Sequence, residues 1–285
     1  MILPLKLRTL FVLGRASNLP TVWSNCLAGW LLGGGGRWLP FALLCAGATL
    51  LYTGGMYLND AFDAEFDAQH RRERPIPAGA IEERTVWRLG IALLIGGLGL
   101  FLPFGMATMS LAAVLCGCIV LYDAVHKLVT VSPVLMALCR LFLYLVAASS
   151  AQTGITGLAI WGAIALSFYI VGLSFLARKE ATGVVIQRWP QLLLAAPVLL
   201  AVLVNDGPYR RPALLIAAIF ALWTIRALRS LWFPPRNVPW AVSGLLAGIV
   251  WVDLLATADQ PRSVGAIFIT LFLLAVLFQR FVPAT

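Results

Sequence analysis

Long apolar runs, separated by short polar connections, repeat along the whole of this 285-residue chain. They fall at 19–35, 38–58, 85–104, 106–125, 133–152, 155–177, 190–205, 212–231, 238–257 and 264–281. About 20 predominantly apolar residues suffice to cross a bilayer as a helix. The pattern therefore predicts an all-α, polytopic transmembrane bundle of nine or ten spans, the count turning on the tight connections at Pro103 and Thr153-Gly154. A β-barrel would show short alternating segments instead, and none are visible. No soluble domain can be carved out of the remainder, so residues 1–285 read as one membrane domain.

Composition agrees: 61% of residues are hydrophobic, only 12% are charged, and mean hydropathy is +0.91. Soluble domains carry about 25% charged residues. The net charge of +9 invites a nucleic-acid partner, but the cations sit mostly in loops, so the lipid bilayer is the expected partner and nucleic acid is not. With the N-terminus inside and spans alternating, 17 of the 21 Lys and Arg fall on the inner side. The positive-inside rule then makes the N-terminus and the loops 59–88, 122–132 and 178–189 cytoplasmic. Residues 3–13 carry no cleavage site and are expected to lie along that interface. The five cysteines fall inside spans and read as small core residues.

The densest chemistry is Asn59-Asp60-x-x-Asp63-x-x-x-Asp67, followed by Arg71, Arg74-Pro75 and Pro77. With Glu65 it gathers four of the chain's 12 acidic residues directly after an apolar run. Carboxylates at the end of a membrane helix are costly unless they bind a cation or line a wet cavity. If 59–74 continues the second span helically, Asp60, Asp63 and Asp67 fall within roughly 60° of one another at about 100° per residue. Asn59 flanks Asp63, Glu65 points away, and Arg71 and Arg74 return to the aspartate face before the prolines stop the helix. Mg²⁺ prefers oxygen ligands and binds through a few carboxylates plus substrate phosphates, and arginine forks fit phosphate oxygens. Asn59, Asp60, Asp63 and Asp67 thus describe a Mg²⁺ site, with Arg71 and Arg74 placed for a diphosphate.

These residues match, position by position, the first signature of the UbiA superfamily of intramembrane prenyltransferases, which the chain resembles over most of its length. Tyr122-Asp123, Lys127 and Cys139-Arg140 stand where the family has a Tyr-Asp…Lys loop and a Cys-Arg pair. Arg15 and Asn18 match an Arg…Asn segment at the first span. The resemblance implies a central lipid-accessible cavity, with Lys127 and Arg140 on the diphosphate, Tyr122 near the reacting carbon and Asn18 facing the cavity, where capping before Pro20 is an equal alternative. One departure stands out. Most members carry Asp-x-x-x-Asp after the sixth span, whereas this chain reads Ser174-Phe-Leu-Ala-Arg178-Lys179-Glu180-Ala-Thr-Gly183, which resembles the EboC-like branch. Arg178 would there supply positive charge to the departing diphosphate, and Glu180 would serve as metal ligand or base.

The function these residues imply is Mg²⁺-dependent transfer of a prenyl group from an allylic prenyl diphosphate to an acceptor at the cytoplasmic side. Asp60, Asp63, Arg178 and Glu180 are the expected catalytic groups. The acceptor is not legible. The rival reading is a transporter, or a catalytically altered relative that carries a prenyl lipid.

Overall fold

Between Arg15 and Arg37 the chain has no charge, and Pro20 sits in the first turn of a helix, Leu19–Leu32, that ends where four glycines begin. Gly34, Gly35 and Gly36 take φ of 94°, 65° and 150°, a region glycine alone enters without strain. The turn is tied to another one: Gln152 donates its backbone N–H to Gly35 O (3.0 Å) and Thr153 to Gly33 O (2.8 Å).

The computed structural model describes residues 5–180, 189–199 and 209–284, and these contain helices and no strand. In chain order the helices are α1 (Leu5–Leu13), α2 (Leu19–Leu32), α3 (Trp38–Phe62), α4 (Ala64–His70), α5 (Glu83–Gly99), α6 (Met106–Val125), α7 (Ser132–Ser149), α8 (Gly157–Glu180), α9 (Trp189–Leu193), α10 (Ala196–Leu199), α11 (Arg210–Trp232), α12 (Val238–Ala256) and α13 (Arg262–Phe278). Short 3₁₀ turns precede α2 and α6.

Among the described residues, seven helical stretches are long and apolar enough to span a membrane: 38–62, 83–104, 106–125, 132–149, 157–178, 210–232 and 238–256. The expected spans at the two ends of the chain are shorter helices. The run 19–35 yields only the 14 residues of α2, and 264–281 yields α13 with 17. The run 190–205 extends onto residues 200–205, which lie outside the described residues.

The short α2 is the centre of the bundle. Eleven of its 14 residues are buried, and it touches α3, α7, α8, α12 and α13. Its polar residues Thr21, Ser24 and Asn25 therefore face protein rather than lipid. The seam with α7 is close: a Cβ on Gly29 would lie 2.5 Å from Tyr144 O, and one on Gly33 2.5 Å from Ala148 O. Small residues let helix backbones approach in this way where lipid offers no hydrophobic drive. On the outside, Leu39, Ile95 and Leu222 are among the exposed apolar side chains, as expected where the solvent is hydrocarbon.

Candidate functional site

Helix α3 runs through Asn59 and Asp60 and stops at Phe62; Asp63 joins it to α4. The unbroken helix expected through Arg74 is thus corrected in two places. A break falls at Asp63, and α4 ends at His70, because Arg71 takes φ −143° and ψ 60° ahead of Pro75 and Pro77. The residue before a proline is disfavoured in the helical region, and proline lacks the N–H a helix interior needs. Across the break the backbone keeps i→i−4 bonds, Asp63 N–H to Asn59 O (3.0 Å), Asp67 N–H to Asp63 O (2.8 Å) and Arg71 N–H to Asp67 O (2.8 Å). The rotation per residue survives. Asp60, Asp63 and Asp67 are all buried, and Glu65 is exposed.

Three cationic side chains and a histidine meet these aspartates from elsewhere in the chain. Arg15, between α1 and the 3₁₀ turn, holds φ 41° and ψ 50°, and it is the one non-glycine residue with positive φ among the described residues. Such a conformation is strained, and strain of this kind clusters at functional sites. Arg15 Nη2 donates to Asn59 Oδ1 (3.0 Å) and Asp60 Oδ1 (3.3 Å). Asn59 Nδ2 in turn donates to Asp123 Oδ1 at the end of α6 (3.1 Å). Arg74 Nη1 lies 4.0 Å from Asp60 Oδ1. Lys127 Nζ pairs with Asp63 Oδ1 at 2.7 Å, and His126 Nε2 lies 3.4 Å from Asp63 Oδ2. Lys127 also sits 3.8 Å above the Phe66 ring, and Tyr122 stacks on His126 with centroids 5.0 Å apart.

The electrostatics follow this pairing. Burial pushes the Asp63 carboxyl up, but hydrogen bonds and charge from His126 and Lys127 outweigh it and hold its pKa below the ordinary value. Asp67 goes the other way: burial, reinforced by the Asp63 charge, raises it. Arg74 is lowered by burial and by Arg15 beside it.

Three buried carboxylate oxygens remain without a hydrogen-bond partner: Asp60 Oδ2, Asp67 Oδ1 and Asp123 Oδ2. Buried polar atoms are nearly always paired, and three unpaired carboxylate oxygens in one cluster leave acceptor capacity for a further partner. Among the described residues, no three carboxylate, imidazole or thiol side chains are drawn close enough to hold a metal ion by themselves. Mg²⁺ does not require that: it keeps waters and takes one or two carboxylates together with substrate phosphates. The hard-oxygen donor set fits such an ion.

Behind the cluster lies a cavity of about 80 Å³ whose walls include Met56, Leu115 and Leu143 and whose polar end carries Tyr122, Asp123 and Arg140. A larger groove of about 250 Å³, lined by Trp23, Trp38, Phe41 and Ile267 among others, carries no carboxylate or cation. It is a surface between α2, α3 and α13, not a reacting centre.

Asn59, Asp60, Asp63, Asp67, Arg74, Lys127 and Tyr122 are thus brought together. Arg71 ends α4 partly exposed and joins no ion pair among the described residues. Arg140 reaches the cavity but gives Nη1 to Asn25 Oδ1 (2.7 Å) and Nη2 to Thr21 Oγ1 (3.2 Å). Arg178 Nη1 donates to Val129 O (2.6 Å) and Ser132 Oγ (3.0 Å), so it braces the loop that carries Lys127. Asn18 donates to Ala284 O (2.9 Å). The side chain of Glu180 lies outside the described residues. Sequence reasoning left three residues unassigned: Arg15, His126 and Asp123. Arg15 carried a signal, as the last cation before a charge-free stretch; His126 and Asp123 lay within the Tyr-Asp…Lys loop.

A model of the UbiA prenyltransferase family matches residues 18–276. Digeranylgeranylglyceryl phosphate synthase of Ignicoccus hospitalis is 37% identical over 108 residues, covering 38% of this chain and 35% of that protein. For 4-hydroxybenzoate octaprenyltransferase of Cupriavidus metallidurans the identity is 34% over 97 residues, covering 33% and 32%. These alignments thus span about a third of each relative's length. Two solved structures share the fold across nearly the whole chain. A UbiA homologue from Aeropyrum pernix in its apo form has a TM-score of 0.66 at 14% identity, covering 90% of this chain and 99% of its own. A structure of digeranylgeranylglyceryl phosphate synthase gives 0.62 at 22%, covering 89% and 98%.

Proposed function

Because the chain belongs to the UbiA prenyltransferase family, we propose that it transfers a prenyl group from an allylic prenyl diphosphate to an acceptor, releasing diphosphate with the help of Mg²⁺. One observation carries this reading. Three buried, unpartnered carboxylate oxygens, on Asp60, Asp67 and Asp123, belong to a cluster that also holds Arg15, Arg74 and Lys127, and Asp123 carries it to the polar end of an apolar cavity. Asp60, Asp63 and Asp67 are the residues to hold Mg²⁺, with Asn59 orienting Asp123 and Arg15 around them. When bound, the ion supplies positive charge to the leaving phosphate oxygens.

The rest is done by the chain's own groups. Arg15, Arg74 and Lys127 each lie on an aspartate, and a diphosphate competes for the same cations. The bond between the first prenyl carbon and its phosphate oxygen breaks with both electrons leaving on the diphosphate. Lys127, Arg74 and Arg140 stabilise that charge where it develops. The face of the Tyr122 ring meets the allylic cation, and walls such as Leu115 and Met56 keep water from capturing it. The acceptor's nucleophilic atom then bonds to that carbon, and its proton passes to the released diphosphate. Arg178 acts here by holding the Lys127 loop. The expected partition of 17 of the 21 Lys and Arg to the inner side supports a reaction that faces the cytoplasm.

The test is diphosphate release from a mixed pool of allylic prenyl diphosphates by the purified protein, with Mg²⁺ and with chelator, paired with mass spectrometry of the lipid products. Release that needs Mg²⁺ and is lost in Asp63→Ala supports the reading. Activity that survives strong chelation, or is unchanged in that variant, overturns it. Bound prenyl diphosphate without a covalent product indicates a carrier.

A further inference from the structure

A second polar network lies deeper in the bundle, away from the aspartate cluster. Asp253, on α12, is wholly buried. Its Oδ2 accepts from Ser24 Oγ (2.5 Å) and from Asn25 Nδ2 (2.7 Å), both on α2. The other end of the same Asn25 carboxamide, Oδ1, accepts from Arg140 on α7 at 2.7 Å. Thr21 Oγ1 donates to Asn18 O (2.7 Å) and accepts from Arg140 Nη2 (3.2 Å). Three helices are thereby joined in the order carboxylate, carboxamide, guanidinium.

Two features of this chain of contacts need a reason. Arg140 is buried and forms no direct ion pair among the described residues, although an uncompensated charge inside a bundle is expensive. Asn25 can present its amide either way round, and the two neighbours fix it: the NH₂ end belongs on a carboxylate and the oxygen on a cation. With that orientation fixed, the carboxamide oxygen holds the guanidinium on the wall of the cavity that also carries Tyr122 and Asp123.

We propose that Asp253 is the positioning residue for Arg140. Through the Asn25 carboxamide it holds the guanidinium at the cavity wall and balances its charge from inside the bundle. A carboxylate in direct contact would occupy the donors that a diphosphate needs; one amide further away it supplies the charge and leaves the cavity-facing donors free. The kinetic part of this inference rests on the reading of Arg140 as a diphosphate-contacting group; the coupling itself does not.

The experiment is a set of four variants: Asp253→Asn, Arg140→Lys, their double, and the exchange N25D/D253N, which returns one carboxylate and one carboxamide to the same contact chain. Asp253→Asn is expected to lower kcat for diphosphate release about tenfold or more while the Mg²⁺ requirement stays within about twofold, because only the transition-state contact is misplaced. In the Arg140→Lys background it is expected to add less than about twofold, since two residues acting through one contact are not additive. The exchange sets the carboxylate directly on Arg140, so it is expected to keep the folded yield and thermal midpoint near wild type while kcat stays about tenfold down, because the guanidinium donors are then occupied; full recovery of kcat would overturn the proposal. A loss in Asp253→Asn that multiplies fully with that of Arg140→Lys overturns the proposal, and so does an Asp253→Asn enzyme indistinguishable from wild type. Should Asp253→Asn fail to fold, folded yield of N25D/D253N decides: recovery supports the proposal and no recovery overturns it. If the wild type releases no diphosphate, the enzymatic reading is what fails. A thermal-unfolding cycle between Asp253→Asn and Arg140→Met then tests the coupling alone, with additive shifts overturning it.

Discussion

Two clusters of buried polar groups sit in this bundle, and they are built on opposite terms. The outer one, around Asp60, Asp63 and Asp67, has its ion pairs at the end of a span and leaves three carboxylate oxygens without partners. The inner one, Arg140–Asn25–Asp253, lies wholly between helices, and one carboxylate oxygen of Asp253 is unpartnered there. The outer pairs can be exchanged for ligand because they border loops and turns; the inner chain is locked by helix packing. The contrast is between ion pairs open to a further partner and a contact chain that helix packing holds in place.

The sharpest way to break the comparison is to remove a carboxylate from the outer cluster. Asp60→Asn is expected to cut Mg²⁺-dependent diphosphate release by about a thousandfold, roughly 4 kcal/mol in barrier height, with the fold kept. A variant within about tenfold of wild type would move the reacting centre elsewhere. In the inner network the damage should appear in stability as well as in kcat. Arg140→Met leaves Asp253 buried beside an amide with no cation beyond it, and is expected to cost about 3 kcal/mol, seen as a lower thermal midpoint in detergent. Asp253→Leu placed on top should recover most of that loss.

Smaller changes sharpen the picture. Gly29→Ala puts a Cβ 2.5 Å from Tyr144 O and should cost about 1–3 kcal/mol by overpacking. It prises α2 from α7, so it is expected to disturb the inner network first, with Mg²⁺ dependence retained. Arg178→Ala should loosen the Lys127 loop and raise KM for the prenyl diphosphate about tenfold, equivalent to about 1.4 kcal/mol, without touching the thermal midpoint. The smallest effect is acid stability. The folded Asp63 carboxyl has a lowered pKa because burial is outweighed by His126 and Lys127. Its contribution is therefore present above the unfolded value of about 3.9 and is lost as pH falls through the lower folded value. Thermal unfolding below about pH 4 should fall more steeply in wild type than in Asp63→Asn.

How much of this was written in the residue order differs between the two clusters. The outer one is a local pattern, Asn59 to Asp67 within nine residues, and helical periodicity alone places its three aspartates on one face. The apolar runs likewise predict helices, since a backbone in hydrocarbon must satisfy its hydrogen bonds within the segment. The break at Asp63 and the early end of α4 were not legible, because they depend on where Arg71 is carried by the turn that follows. Nor was the pairing of Arg15 with Asp60, which spans 45 positions, or the braced loop under Arg178. The inner network is the extreme case: Asn25, Arg140 and Asp253 are 115 and 228 residues apart in their contacts. Each alone reads as a stray polar residue in a span. Spacing determines which side chains share a helix face; only the packing of α2, α7 and α12 determines which faces meet, because lipid imposes no pairing and the close approach at glycines such as Gly29 does.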